Sequence, residues 1–116
     1  NIDVQPSVNP QGEAYIPVGR PAAALGATGL MFAFVYSGAS GSLDYGPAYR
    51  TFDVDNLSPN AWTDLATYSG ITGDELRNSG DRAITPGAKG LMQPGVRISG
   101  PGARGSLRVL VAAKYS

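Results

Sequence analysis

The most regular hydrophobic pattern in the chain lies near its C-terminal end. Between Ser106 and Tyr115 every second residue falls on one face, and that face carries Leu107, Val109, Val111, Ala113 and Tyr115. A period of two is what a half-buried strand requires. Residues 96–99 alternate in the same way, and the glycine-rich segment 100–105 between the two strands predicts a hairpin loop.

A second strand, from Leu30 to Tyr36, is apolar on both of its faces. One face would carry Leu30, Phe32, Phe34 and Tyr36, and the other would carry Met31, Ala33 and Val35. Such a strand lies centrally in a fold, or has its second face covered by another layer or another subunit. The pattern therefore favours two sheets or self-association.

Two shorter segments show weaker strand patterns. Residues 14–18 alternate, and Pro17 places this strand at a sheet edge because proline cannot donate to a ladder. Residues 48–55 alternate less regularly, with Phe52 predicted to face inward and Tyr49 outward.

Residues 1–10 have the pattern of an edge strand or an extended arm. Ile2, Val4 and Val8 alternate with polar residues, while two prolines remove backbone donors. Such a segment suits a sheet edge better than a sheet interior. It is either an edge strand of the chain's own sheet or an arm that adds to a neighbouring subunit by main-chain hydrogen bonds.

Helical patterns are confined to short segments. Ser58 is a suitable N-cap, Pro59 suits the first helical position, and Gly70 follows the predicted end near Tyr68. The same residues also fit a strand. Residues 73–77 could add a single helical turn.

Glycine and proline separate the short apolar segments. The 116 residues include 16 glycines and 9 prolines, spread along the chain rather than pooled in a linker. Many short strands between such residues are typical of sandwiches and barrels. We therefore predict one all-β domain over residues 1–116, an antiparallel β-sandwich or jelly-roll-like barrel with at most one short helix.

Composition and charge remove several classes of function. The chain has no cysteine and no histidine, which removes thiolate chemistry, the usual neutral-pH base and the commonest metal ligands. We therefore predict no enzymatic activity and no cofactor, although Asp53 and Asp55, on one face of a strand, leave open a weak surface calcium site. Nine basic and nine acidic residues balance, and the longest apolar run is too short to span a membrane, so neither nucleic acid nor membrane is a predicted partner.

Four aromatic residues form the clearest candidate contact site. Tyr45, Tyr49, Trp62 and Tyr68 lie near the Gly/Ser-rich segment 37–46. Aromatic rings beside a flexible loop can form a platform for sugar rings or a hot spot for a protein partner. The alternative is that these rings fill the ends of a sandwich.

Several features characterise the chain as a whole. It has short strands rich in Ala, Val and Gly, connections rich in Gly and Pro, and a closing strand at Ser106–Tyr115, and it contains no Cys or His. In this style the chain resembles small all-β bacteriophage virion proteins, such as capsid decoration (cement) proteins and tail or fibre modules. The resemblance implies a non-enzymatic virion protein that acts as a homo-oligomer within a larger protein assembly such as a capsid. It carries over no functional position.

A second hypothesis is a carbohydrate-binding or adhesin-type β-sandwich, secreted or at the cell surface. It would bind a glycan through Tyr45, Tyr49 and Trp62. The two hypotheses need different surfaces: a lectin needs an exposed aromatic platform in a groove, whereas a cement protein needs an apolar or charged footprint.

Overall fold

The regular structure of the described residues consists of eleven β-strands. The structure, a computed structural model, describes residues 2–4, 13–23, 27–53, 55–84, 91–100 and 102–115. The strands are β1 (Ile2–Val4), β2 (Glu13–Pro17), β3 (Ala22–Ala23), β4 (Ala27–Ser40), β5 (Leu43–Asp53), β6 (Ser58–Pro59), β7 (Thr63–Asp64), β8 (Tyr68–Ile71), β9 (Glu75–Ala83), β10 (Leu91–Ser99) and β11 (Arg104–Tyr115).

These strands form two antiparallel sheets. Sheet I has the order β1–β11–β4–β9. Sheet II has the order β2–β10–β5–β6, with β3 added to β10 and with β7 and β8 added to β5. The described residues contain no helix, and thus none long and apolar enough to cross a membrane. The prediction of an all-β, antiparallel fold is confirmed.

The core contains the inward-facing residues of both sheets. In β4 the larger apolar residues face inward, and Phe32 and Phe34 are 0% and 1% exposed. The buried core cluster comprises Ala27, Leu30, Phe32, Phe34, Tyr36, Leu43, Tyr45, Tyr49, Ile84, Met92, Val96, Ile98, Ala103 and Leu107. Such burial stabilises a fold by about 25 cal/mol per Å² of apolar surface removed from water.

The glycine-rich segment between β10 and β11 does not form the predicted hairpin. Because β10 belongs to sheet II and β11 to sheet I, the segment crosses from one sheet to the other. Gly100 and Gly105 have φ angles of 141° and 147°, a region that favours glycine. The hydroxyl of Tyr36 donates to the carbonyl of Arg104 at 2.7 Å and holds the crossing close to sheet I.

The predicted helix near Ser58–Tyr68 is wrong, and so is the helical turn at 73–77. The first segment instead forms β6, β7 and the start of β8 along one edge of β5. The backbone N–H of Leu65 donates to the carbonyl of Pro47 at 2.9 Å. An isolated helix of this length is marginal in water, whereas the edge of β5 supplies ready backbone partners. The second segment contains the start of β9, which pairs with β4.

Both N-terminal strands pair at the edges of their sheets. β2 pairs with β10 at the edge of sheet II, as Pro17 predicts. β1 pairs with residues 105–107 of β11, so Ile2 and Val4 form an edge strand of the chain's own sheet. This pairing is the edge-strand alternative that the sequence leaves open for those residues. Val8 lies outside the described residues.

The two faces of β5 are the reverse of the sequence-based prediction. Tyr49 is predicted to face outward but is only 8% exposed, because it shares the buried face with Leu43 and Tyr45. Phe52 is half-buried beside the guanidinium of Arg50. A one-residue shift in a strand's alternation moves every side chain to the opposite face. The weak alternation over residues 48–55 does not determine which of these residues face inward.

Candidate functional site

The outer face of sheet I carries a contiguous set of apolar side chains, which we call the apolar band. Its members are Met31, Ala33 and Val35 of β4, Leu76 of β9, and Leu110 and Ala112 of β11. The register places Leu110 beside Ala33, Ala112 beside Met31, and Leu76 beside Val35. In β4 and β11 these residues alternate with core residues, so they share the face that points away from the core.

The larger members of the apolar band are exposed. Leu76 is 80% exposed, Leu110 is 65% exposed and Met31 is 37% exposed. Single exposed apolar residues are ordinary on protein surfaces, whereas a contiguous exposed group is a candidate interaction surface. The second apolar face that the sequence predicts for residues 30–36 is therefore present, and no layer among the described residues covers it.

Two shallow hollows lie along the apolar band. The larger, with a volume of about 450 Å³, is lined by Val35, Tyr36, Ser37, Asp74, Glu75 and Leu76. The smaller, of about 140 Å³, is lined by Met31, Phe32, Ala33, Asn78, Leu110, Val111 and Ala112. The face thus combines exposed leucine side chains with shallow recesses.

The first residues of β9 have an inverted polarity pattern. Glu75 and Arg77 turn toward the protein, while Leu76 between them points to solvent. Arg77 donates to both carboxylate oxygens of Glu75, at 2.8 and 3.1 Å, and the hydroxyl of Tyr45 donates to the same carboxylate at 2.5 Å. The guanidinium of Arg77 lies 4.3 Å from the ring centre of Tyr68. These contacts hold Leu76 in its exposed position.

The pKa values of this network favour its charged, hydrogen-bonded form. Hydrogen bonding from Arg77 lowers the pKa of Glu75 against the opposing effect of burial, and Tyr45 lowers it further. Burial, with the hydrogen bond to Glu75, raises the pKa of Tyr45, so its hydroxyl remains a donor. The Glu75 hydrogen bonds also raise the pKa of Arg77. The network is therefore intact at neutral pH.

Replacing Glu75 with glutamine is expected to lower the free energy of unfolding at neutral pH by about 1–2 kcal/mol. Hydrogen bonds to a charged group contribute roughly 1.5–3 kcal/mol, and the 21% exposure of Glu75 reduces that value. Because the pKa of Glu75 is below its usual 4.5 in the folded protein, its stabilising effect is complete above that value and is lost as pH falls through the folded-state pKa.

Urea unfolding between neutral pH and about pH 3 measures this effect. Glu75→Gln should lose less stability on acidification than the wild-type protein. The control is Asp81→Asn, which removes an exposed 2.8 Å ion pair with Lys114 and should change the free energy of unfolding by less than about 1 kcal/mol. An acid response of Glu75→Gln equal to that of wild type would contradict the assignment.

The outer face of sheet II differs because the chain covers it. The ring of Trp62 lies over Gly95 and stacks on Tyr15, with ring centres 5.6 Å apart and planes at 4°. The guanidinium of Arg50 lies 4.5 Å from the Trp62 ring centre and also donates to the Gln93 side chain at 2.8 and 3.0 Å. Side chains of the chain itself therefore cover the outer face of sheet II around Trp62, whereas no layer among the described residues covers the apolar band of sheet I.

The four aromatic residues proposed as a contact site do not form one exposed platform. Tyr45 and Tyr49 are buried in the core. Tyr68 is half-buried and packs edge-on against Tyr45, with ring centres 5.3 Å apart. Trp62 alone lies on an outer face, between Tyr15 and Arg50. The rings mainly fill the structure, which is the alternative that the sequence leaves open.

Only part of the apolar band is evident from the sequence. The two-faced pattern of β4 points to Met31, Ala33 and Val35. Leu76 is missed because its segment is interpreted as a helical turn, although the alternation Glu75-Leu76-Arg77 fits a strand with reversed polarity. Leu110 and Ala112 fall on the more polar face of the predicted last strand.

The candidate calcium residues have a local structural role. The backbone N–H of Asp55 donates to the side chain of Asp53 at 3.0 Å, which closes the turn after β5. Within the described ranges, no group of three or more acidic, histidine or cysteine residues could hold a metal ion. The geometry gives no support to a calcium site there.

The chain was compared with protein-family models, with curated proteins and with solved structures. None of the three comparisons gave a significant match.

Proposed function

We propose that this chain is a non-enzymatic assembly protein of a virus particle, such as a capsid decoration protein or a tail accessory protein. It acts as a homo-oligomer and binds a larger protein assembly through the apolar band. The observation that carries this proposal is the exposed Leu76 at the inverted start of β9. The virus particle itself is suggested by the resemblance in style to small phage virion proteins.

The energetics of the apolar band support a binding role. Burying a leucine or methionine side chain gains roughly 1.5–3 kcal/mol. Leu76 and Leu110, which are 80% and 65% exposed, leave most of this gain unused in the isolated chain, and Met31, which is 37% exposed, leaves a smaller part. Glu75 and Arg77, whose charges would interfere with an apolar contact, face the other way. A flat partner surface could therefore cover the band without desolvating an unpaired charge on β9.

The carboxylates beside the larger hollow favour binding over catalysis. Asp74 accepts a hydrogen bond from the backbone of Ala39 at 2.9 Å, and Glu75 is held by Arg77 and Tyr45. A hydrolase acting through two carboxylates needs one of them as a proton donor. The lowered pKa of Glu75 opposes that role.

The experiment is to measure self-association of the wild-type protein and a Met31→Asp, Leu76→Asp variant by light scattering over a wide concentration range. The variant should associate at least about tenfold more weakly, because each lost apolar contact removes roughly 1.5–3 kcal/mol. Leu57→Asp is the matched control, since Leu57 is 66% exposed but lies in the turn after β5, outside the apolar band.

Equal association of the wild-type protein and the double variant would contradict the proposal. A monomeric wild-type protein that binds a glycan array, with binding lost in Trp62→Ala, would favour the carbohydrate-binding alternative. Circular dichroism of each variant establishes that the strands remain folded.

A further inference from the structure

Beyond the first residues of β11, no strand among the described residues pairs with one edge of sheet I. β1 pairs with β11 at residues 105–107, and no other described strand lies on that side of β11. Between Arg108 and Lys114 the sequence is Val-Leu-Val-Ala-Ala, without proline or glycine. An extended apolar strand with unpaired backbone groups is a template for the addition of another strand.

The other sheet edges contain features that discourage strand addition. β9, at the opposite edge of sheet I, has a bulge in which Gly80 adopts a φ of 67° and donates to the side chain of Asn78 at 2.7 Å. At the edges of sheet II, β2 contains Pro17 and β6 contains Pro59. Bulges and prolines protect natural sheet edges from pairing. Between Arg108 and Lys114 the described part of β11 has no such feature, and its own register shifts against β4 lie outside this segment, before Ser106 and after Lys114.

We propose that this edge of β11 binds the same edge of a second copy of this chain. Antiparallel pairing between identical strands is symmetric about a twofold axis, so each copy supplies the same surface. The result is a continuous sheet in which β11 of one copy lies beside β11 of the other. Main-chain hydrogen bonds provide the affinity, as in other cases of strand addition.

Repulsion between like charges and the position of β1 favour a register centred on Ala112, in which Ala112 of one copy lies opposite Ala112 of the other. In this register Val111 lies opposite Ala113 of the other copy, and Arg108 does not face a cation. A register centred on Val111 would place Arg108 directly opposite Lys114, where like charges destabilise a strand pair. Pairing centred on Ala112 also begins after Leu107, so β1 keeps its place.

This inference rests on the proposed assembly function and deepens it by identifying the contact between copies. In a continuous sheet the outer faces of both copies point to the same side. The two apolar bands would then lie side by side and form one wider footprint for the larger partner. The edge of β11 would pair two copies, and the apolar bands on the face of sheet I would carry the further association of such dimers with one another and with the larger partner.

Cysteine cross-linking tests the pairing without interference, because the chain has no native cysteine. Directly opposed residues of an antiparallel pair have Cα atoms roughly 4.5–5.5 Å apart, within the range of a disulfide. Ala112→Cys should therefore form a covalent dimer under mild oxidation. Its yield should exceed that of the exposed turn variant Leu57→Cys by about tenfold or more, because pairing raises the effective concentration.

Ala33→Cys distinguishes edge pairing from face-to-face packing. Ala33 lies on β4, and edge pairing would separate the two copies of this position by three strand spacings, about 14 Å, beyond disulfide reach. The pairing is supported if Ala112→Cys cross-links and Ala33→Cys does not. It is overturned if Ala112→Cys matches Leu57→Cys, or if Ala33→Cys cross-links instead.

The two proposals can fail separately. A covalent Ala112→Cys dimer, together with wild-type association of the Met31→Asp, Leu76→Asp variant, would support the edge pairing and overturn the role of the apolar band. Loss of association in that variant without an Ala112→Cys dimer would do the reverse. Thermal denaturation of each cysteine variant confirms that the fold is retained.

Discussion

Replacement of Gly46 with alanine is expected to destabilise the domain by about 3 kcal/mol or more. A Cβ at this position would lie 2.9 Å from the carbonyl carbon of Ala66 and 3.2 Å from the Cα of Thr67, with the Ala66 carbonyl oxygen closer still. Overpacking against side chains costs roughly 1–3 kcal/mol, and a backbone neighbour gives way less easily. Relief would require the segment between β7 and β8 to lift from β5, which would lose the hydrogen bond from Leu65 to Pro47.

Chemical denaturation of Gly46→Ala and Gly73→Ala measures this difference. Gly73 is the matched control because an added Cβ there meets no atom within 4 Å and its φ is not in the left-handed region. Gly73→Ala should change the free energy of unfolding by less than about 0.5 kcal/mol. Similar stabilities for the two variants would show that the segment after β7 does not lie against Gly46.

Truncation of Phe34 to alanine is expected to cost about 3–5 kcal/mol, which is the usual range for a buried phenylalanine. Phe34 is 1% exposed and packs against three other rings, with centres 5.1 Å from Tyr45, 5.9 Å from Phe32 and 6.3 Å from Tyr68. The cavity would lie between the two sheets, and it could close only if both sheets moved together. For a domain of this size the melting temperature should fall by roughly 10–20 °C.

Leu76→Ala provides the comparison for this core truncation. Leu76 belongs to the adjacent strand of the same sheet, but its side chain is 80% exposed. Its loss should change the free energy of unfolding of the monomer by less than about 0.5 kcal/mol. A melting temperature that falls equally in the two variants would contradict the inward and outward assignments of β4 and β9.

The parts of the fold that could be predicted from sequence are those in which the pattern is local. β10 and β11 carry enough period-two alternation to identify a strand, β4 is identified by its continuous apolar run, and Pro17 indicates an edge. The three short strands β6, β7 and β8 contain two to four residues each, and they exist because β5 offers them an edge. A short strand that forms because it pairs with a distant segment shows little strand pattern in its own sequence.

The part of the apolar band on β4 was predictable, because β4 has more hydrophobic residues than its core-facing side alone accounts for. The surplus on β4, with Met31, Ala33 and Val35 on its second face, is visible in the sequence. On β9 the polarity is reversed, because Tyr45 and Tyr68 provide partners for Glu75 and Arg77. Those partners lie far away in the sequence, so the outward position of Leu76 becomes evident only in three dimensions.

The position of Trp62 provides an internal optical reporter. It is the single tryptophan of the chain, and it packs over Gly95 between Tyr15 and Arg50 on the outer face of sheet II. Its fluorescence therefore reports the closure of that face, on the side of the core opposite to the apolar band. Unfolding changes the environment of the indole, whereas a partner on sheet I does not touch it. Loss of structure and loss of assembly can thus be observed separately in a single unlabelled sample.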